Sequence, residues 1–137
     1  MPKPPAIAVV DDDAPMREAL AEFLQVLSMS CHTFDRAEAF LAAYAPGRFD
    51  CLVTDLRMPA MGGLELQKEL RARGSTMPVI VVTSSLDPAS QRRAMEQGAF
   101  AYLIKPFNHE VLLHQLRGAL ALQGPARPGD GGPSAAG

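Results

Sequence analysis

The chain has 137 residues, 47% of them hydrophobic and 20% charged, which is the size at which one domain buries one substantial core. A formal net charge of −2 and a pI near 5.9 give no general attraction to nucleic acid or anionic lipid, so direct nucleic-acid binding by this domain is not expected. No apolar run approaches the roughly 20 residues of a membrane span, and the opening MPKPPAIAVV lacks the basic and long apolar regions of a secretory signal, so a cytoplasmic location without membrane contact is expected.

In chain order, Ala6 to Val10 reads as a first strand, continuously apolar rather than alternating. Met16, Leu20, Phe23, Leu24 and Leu27 then follow helical spacing behind Asp13 and Pro15, which supply a cap and a first-turn residue. Cys31 to Phe34 carries His32 and Thr33 between apolar neighbours and suits a less buried strand at a sheet edge. A short helix is predicted from Arg36 to Tyr44, capped by Asp35. Cys51 to Thr54 is a buried strand, followed by a helix from Leu64 to Arg73 that Gly74 can end in the left-handed conformation. Val79 to Val82 is the next buried strand. Pro88 to Gln97, between Asp87 and Gly98, is weakly apolar and predicts a helix with a narrow buried stripe. Ala101 to Ile104 reads as another buried strand, and Asn108 can cap a last helix whose face is Leu112, Leu116, Ala119 and Leu120.

Five β-α repeats predict right-handed crossovers in an α/β fold, a doubly wound five-stranded parallel sheet with ligands at the carboxyl ends of the strands. The domain is expected over residues 1–122. From 123 to 137 glycine and proline dominate and no apolar pattern persists, which predicts a flexible tail or a truncated interdomain linker. Cys31 and Cys51 are too few for a disulfide framework or a zinc site and are expected as buried free thiols. His32, His109 and His114 have neither nucleophile nor metal spacing.

Chemistry gathers at the predicted strand ends. Asp11, Asp12 and Asp13 follow the first strand and Asp55 the third, so a parallel fold brings at least three carboxylates to one rim. Like charges at that distance call for protonation, a basic partner or a divalent cation, and Mg²⁺ with oxygen ligands fits best. Asp13 is better read as a helix cap or first-turn acid than as a ligand. Thr83 and Lys105 stand at two further strand ends. Singly they read as an ordinary hydroxyl and a solvated charge. Together with the metal they are the partners that a phosphoryl group on a carboxylate needs, with Asp55 as the natural nucleophile.

VVDDD at Val9 to Asp13, LVTDLRMP at Leu52 to Pro59, VVTSS at Val81 to Ser85 and LIKPF at Leu103 to Phe107 jointly resemble the receiver domain of bacterial two-component response regulators. The resemblance runs from about Ala6 to Leu122 and implies the flavodoxin-like strand order 2-1-3-4-5. It implies Asp55 as phosphoacceptor and Asp11, Asp12, Asp55 and the backbone carbonyl of Arg57 as ligands of Mg²⁺. It also implies Thr83 and Lys105 as phosphoryl partners, Tyr102 with Thr83 as a switch pair, and a cis peptide before Pro106. Arg57 and Ser85 would tune water access to the acyl phosphate, and small Ser84 would let the phosphoryl group approach. Tyr102 reads equally well as an edge-strand residue with its hydroxyl in water.

The implied function is a phosphorelay switch charged by a sensor histidine kinase. It would modify only its own Asp55, without turnover on an outside substrate, and change the surface made by its fourth helix, fifth strand and fifth helix. LVTDLRMP with GLELQ behind it most resembles the FixJ and NarL type, implying a helix-turn-helix output domain and a homodimer on phosphorylation; TSSLDPASQRR at Thr83 to Arg93 departs from that type. A stand-alone receiver is the alternative. An aspartate-nucleophile phosphatase of the haloacid dehalogenase type would use Asp11 and Asp13, but no acidic pair follows the lysine and no room remains for a cap domain. A flavodoxin-like electron carrier would need a phosphate-cradling loop where three acids stand. A purely structural or partner-binding domain has no reason to gather these residues at one rim.

Overall fold

A computed structural model of the chain describes residues 3–123. Five strands, β1 (Ala6–Val10), β2 (Ser30–Phe34), β3 (Cys51–Thr54), β4 (Val79–Thr83) and β5 (Ala101–Ile104), alternate with five helices. The helices are α1 (Ala14–Val26), α2 (Ala37–Ala43), α3 (Gly63–Ala72), α4 (Pro88–Glu96) and α5 (His109–Gln123). All pairings are parallel, in the order β2-β1-β3-β4-β5. The doubly wound α/β sheet and its strand order are therefore those expected.

Alternate residues of each central strand feed two cores. Ala8, Val10, Leu52, Val79 and Val81 pack with Phe40, Leu66, Leu70 and Ala94 from α2, α3 and α4. Ile7, Val9, Cys51, Val53, Ile80 and Val82 pack with Leu20, Leu24, Leu112, Leu116 and Ala119 from α1 and α5. Burial on both faces is why these strands read as continuous apolar runs. The order leaves β2 and β5 at the edges. Expected as buried, β5 is buried only at Ala101, and Cys31 on β2 is only partly buried whereas Cys51 is fully so. Burial pushes the Cys31 thiol up to about 11 and the Cys51 thiol up to about 12, so both are held protonated.

Helix ends depart from expectation in three places. Asp13 stands at the N-cap of α1 but makes no side-chain cap bond; its backbone carbonyl accepts from Arg17 N instead. The N-cap of α2 is Arg36 rather than Asp35, whose carboxylate pairs with the Arg36 guanidinium at 3.3 Å on the surface. Asp87 does cap α4, accepting from Ala89 N at 3.1 Å, and Asn108 accepts from Glu110 N at 2.7 Å ahead of α5. Gly74 and Gly98 end α3 and α4 at φ of 80° and 96°. Gln123, expected in the tail, closes α5; residues 124–137 lie outside those described.

α4 buries Ala94 alone, and polar contacts fix its last turn. Gln67 of α3, itself 3% exposed, donates to the Ala94 carbonyl at 3.2 Å and accepts from Gln97 Nε2 at 3.3 Å. Gln97 also donates to the Leu64 carbonyl at 3.2 Å, and Arg71 donates to the Gln97 carbonyl at 2.6 Å. No such tie holds the Asp87 end among the described residues. Replacing Gln67 with alanine removes two hydrogen bonds of a buried side chain, each worth about 0.5–1.5 kcal/mol, while the Ala94 carbonyl keeps Ala99 N and Gln97 Nε2 keeps the Leu64 carbonyl, so Gln67→Ala is expected to lower unfolding stability by about 1–3 kcal/mol. Urea denaturation measures this, and a loss below about 0.5 kcal/mol would show that the clamp contributes nothing.

Candidate functional site

The register decides which side chains meet. β1 and β3 are neighbours, with Val10 opposite Thr54, so the residues that follow, Asp11 and Asp55, emerge side by side at the carboxyl edge. The ladder continues one step, through Asp11 N to the Phe34 carbonyl at 3.1 Å and Asp55 N to the Val10 carbonyl at 3.0 Å. β4 and β5 deliver Thr83 and Lys105 beside them, joined by Lys105 N to the Thr83 carbonyl at 2.8 Å. The Lys105–Pro106 peptide is cis.

Lys105 Nζ spans the two acids, 2.8 Å from Asp11 Oδ2 and 3.1 Å from Asp55 Oδ2. Asp11 and Asp55 are buried, Asp12 is exposed, and one carboxylate oxygen from each lies within 4.8 Å of the others. Asp13 is not in the cluster. Burial pushes Asp11 above the ordinary carboxylate range; the bonds from Lys105 and Asp13 N oppose this without cancelling it. Burial alone would lower Lys105, but its bonds to Asp11 and Asp55 outweigh it and raise the ammonium's pKa.

Asp55 is held more firmly on one oxygen than on the other. Oδ1 accepts from Leu56 N at 2.7 Å and Arg57 N at 3.3 Å, while Oδ2 faces the long, flexible lysine. Thr83 is buried, and its Oγ1 accepts from Ser85 N at 3.1 Å, so its own proton is available to another acceptor. Arg57 Nη2 reaches Ser85 Oγ at 3.4 Å across the mouth of the site. Tyr102 packs its ring on the α2-α3-α4 side of the sheet. Its hydroxyl is buried without a partner among the described residues, so it does not sit in water as an edge residue's would. The rest of the set missing from sequence reasoning is backbone or long-range: Arg17 Nη1 grips the Asp11 carbonyl at 2.7 Å from α1, and the Leu56 and Arg57 N–H groups orient Asp55. The one available signal for Arg17 was its place four residues behind Asp13, within reach of the β1-α1 loop.

Residues 7–117 match the family model of the response regulator receiver domain. The chain belongs to that family. It is thus a receiver domain of the response regulators of two-component systems. Over 120 residues it is 42% identical to the transcriptional regulatory protein FixJ of Azorhizobium caulinodans, an alignment covering 88% of this chain and 57% of FixJ. The solved FixJ-N structure superimposes with a TM-score of 0.79 at 36% identity, covering 85% of this chain and 94% of that one. The response regulator StyR gives a TM-score of 0.82 at 39% identity, covering 87% of this chain and 60% of that one. The receiver spans between half and three-fifths of the length of the curated relatives that it matches first.

The Asp11 shift has a sign that can be tested. Its pKa is higher folded than unfolded, so this group favours folding at low pH, and the contribution is lost as pH rises through the folded value. At pH 7, in chelator, Asp11→Asn is therefore expected to raise the melting midpoint. The gain should shrink as pH falls through the raised value toward 3.8, where the native side chain is itself neutral. A lower midpoint for Asp11→Asn at pH 7 would contradict the assignment of burial as the dominant effect.

Proposed function

We propose that this receiver accepts a phosphoryl group on Asp55 from the phosphohistidine of a sensor histidine kinase and passes the change to a transcription-regulating output. The observation that carries the reading is the single ammonium of Lys105 shared by Asp11 Oδ2 and Asp55 Oδ2, with Asp12 beside them. Three carboxylates against one ammonium leave local negative charge that a hard dication would balance. The oxygen-only donor set fits Mg²⁺, with Asp11, Asp12, Asp55 and the Arg57 carbonyl as its holders. Bound there, Mg²⁺ would neutralise charge on a phosphoryl oxygen.

The chain's own residues divide the remaining work. Backbone bonds to Oδ1 fix the Asp55 carboxylate, leaving Oδ2 to attack phosphorus as the histidine N–P bond breaks and an acyl O–P bond forms. Lys105 then follows the charge onto a phosphoryl oxygen, and the free Thr83 proton is donated to another. Because Thr83 Oγ1 also accepts from Ser85 N, its movement draws the β4-α4 loop inward and changes the volume open to Tyr102.

α4 is suited to respond, being tied to α3 at its C-terminal turn and buried only at Ala94. Leu86 just ahead of α4, Met95 on α4 and Val111 on α5 are 78%, 44% and 43% exposed, apolar side chains open to a partner. The output assignment draws support from relatives named as transcriptional regulators, which extend beyond the matched region.

Incubation with acetyl phosphate followed by intact mass tests the chemistry. A gain of one phosphoryl group is expected that requires Mg²⁺ and is absent in Asp55→Asn; no gain in the folded wild type would refute it. Thr83→Ala is expected to keep Mg²⁺-dependent phosphorylation while losing most of the change in amide exchange over Ser84 to Arg93. An undiminished change in that variant would remove Thr83 from the switch.

A further inference from the structure

Gly63, the first residue of α3, lies directly behind the peptide of Asp55. A β-carbon on it would overlap the Asp55 carbonyl oxygen and stand 3.1 Å from the carbonyl carbon and 3.0 Å from Leu56 Cα. A β-carbon on Gly62 would stand 2.7 Å from the Leu56 carbonyl oxygen. Gly62 has an ordinary φ of −85°, and Gly63 is the helical residue that follows, so the demand here is for space rather than for backbone freedom.

The atoms that would be struck have little room to yield. The Asp55 carbonyl accepts from Thr54 Oγ1 at 3.0 Å, and its N–H is bonded to Val10 in β1. Gly63 N donates to the Leu56 carbonyl at 2.9 Å, which stitches the start of α3 to the same segment, and Glu65 Oε1 accepts from Gly62 N at 3.0 Å, which closes the helix's first turn. Asp55 is thus braced from behind by a helix that touches it only because position 63 has no side chain.

We propose that Gly63 is a positioning residue for the phosphoacceptor, letting α3 seat the Asp55 peptide so that Oδ2 faces the reacting group beside Lys105. This rests on the reading of Asp55 as phosphoacceptor. An alanine at position 63 must displace the Asp55 carbonyl or the helix by roughly 1 Å, and misplacement on that scale costs on the order of a hundredfold in rate.

The test compares wild type, Gly63→Ala, Gly62→Ala and Leu116→Ala, whose lost side chain projects from α5 into the opposite core. Acetyl phosphate is the probe, with Mg²⁺ present, and initial rates over donor concentration are read beside the melting midpoint. Gly63→Ala is expected to lose about 10- to 100-fold in the maximal rate, with little change in the donor concentration at half-saturation. Leu116→Ala, though destabilised, is expected to react at the wild-type rate below its melting transition. A folded Gly63→Ala within about twofold of wild type, or an equal rate loss in Leu116→Ala, would overturn the proposal. Should Gly63→Ala fail to fold, Gly62→Ala decides: a milder loss of at least about threefold supports the brace, and an unchanged rate overturns it. A wild type that takes no phosphoryl group defeats the phosphoacceptor reading itself.

Discussion

Two buried carboxylates share one ammonium at the carboxyl edge of the sheet, and the site is built around that shortage of positive charge. Asp11 and Asp55 stand on adjacent strands because β1 lies between β2 and β3, and Lys105 reaches them from β5 at the opposite edge. Burial makes the repulsion costly, since a low-dielectric rim strengthens like-charge interactions and strips the acids of water. The fold answers with hydrogen bonds from Leu56, Arg57 and Asp13 N–H groups, which orient the acids without adding full charges. On the proposed function, the negative charge that remains would be met by a dication and the incoming phosphoryl group.

Rigidity and looseness are distributed accordingly. Asp55 is fixed through its carbonyl, its N–H and Oδ1, whereas Thr83 is connected to the outer loop through a single Ser85 bond. Beyond that loop, α4 is polar, tied at its C-terminal turn and capped locally at Asp87. On the proposed function, a change in charge at Asp55 would meet a firmly held carboxylate and a loosely held loop, the asymmetry expected of a switch. The Tyr102 hydroxyl, without a partner among the described residues, sits on the side of α4, where a rearrangement offering it a hydrogen bond would stabilise it.

Much of this was legible in the sequence. Central strands such as β4, apolar from Val79 to Val82, are covered on both faces, so their positions follow from the run of apolar residues. Acids, hydroxyl and lysine directly after four strands then fall at one rim by topology. Edge positions were less legible: Ala101 to Ile104 is as apolar as a central strand, and only the pairing order reveals its exposure. Side-chain contacts with the backbone of another element were the least legible. Gln67 looks like a surface glutamine of α3 until α4 packs over it, and Arg17 and Gly63 gain their meaning from the backbone atoms that they meet.

The most direct measurement locates the phosphoryl group rather than counting it. Borohydride reduction of the acetyl-phosphate-treated protein converts an acyl-phosphorylated aspartate to homoserine, which peptide mass mapping then places. Homoserine at position 55, and at neither 11, 12 nor 13, is the expected result. Homoserine at Asp11 or Asp12, or spread over several acids, would contradict the division of the rim into one nucleophile and its metal-holding neighbours.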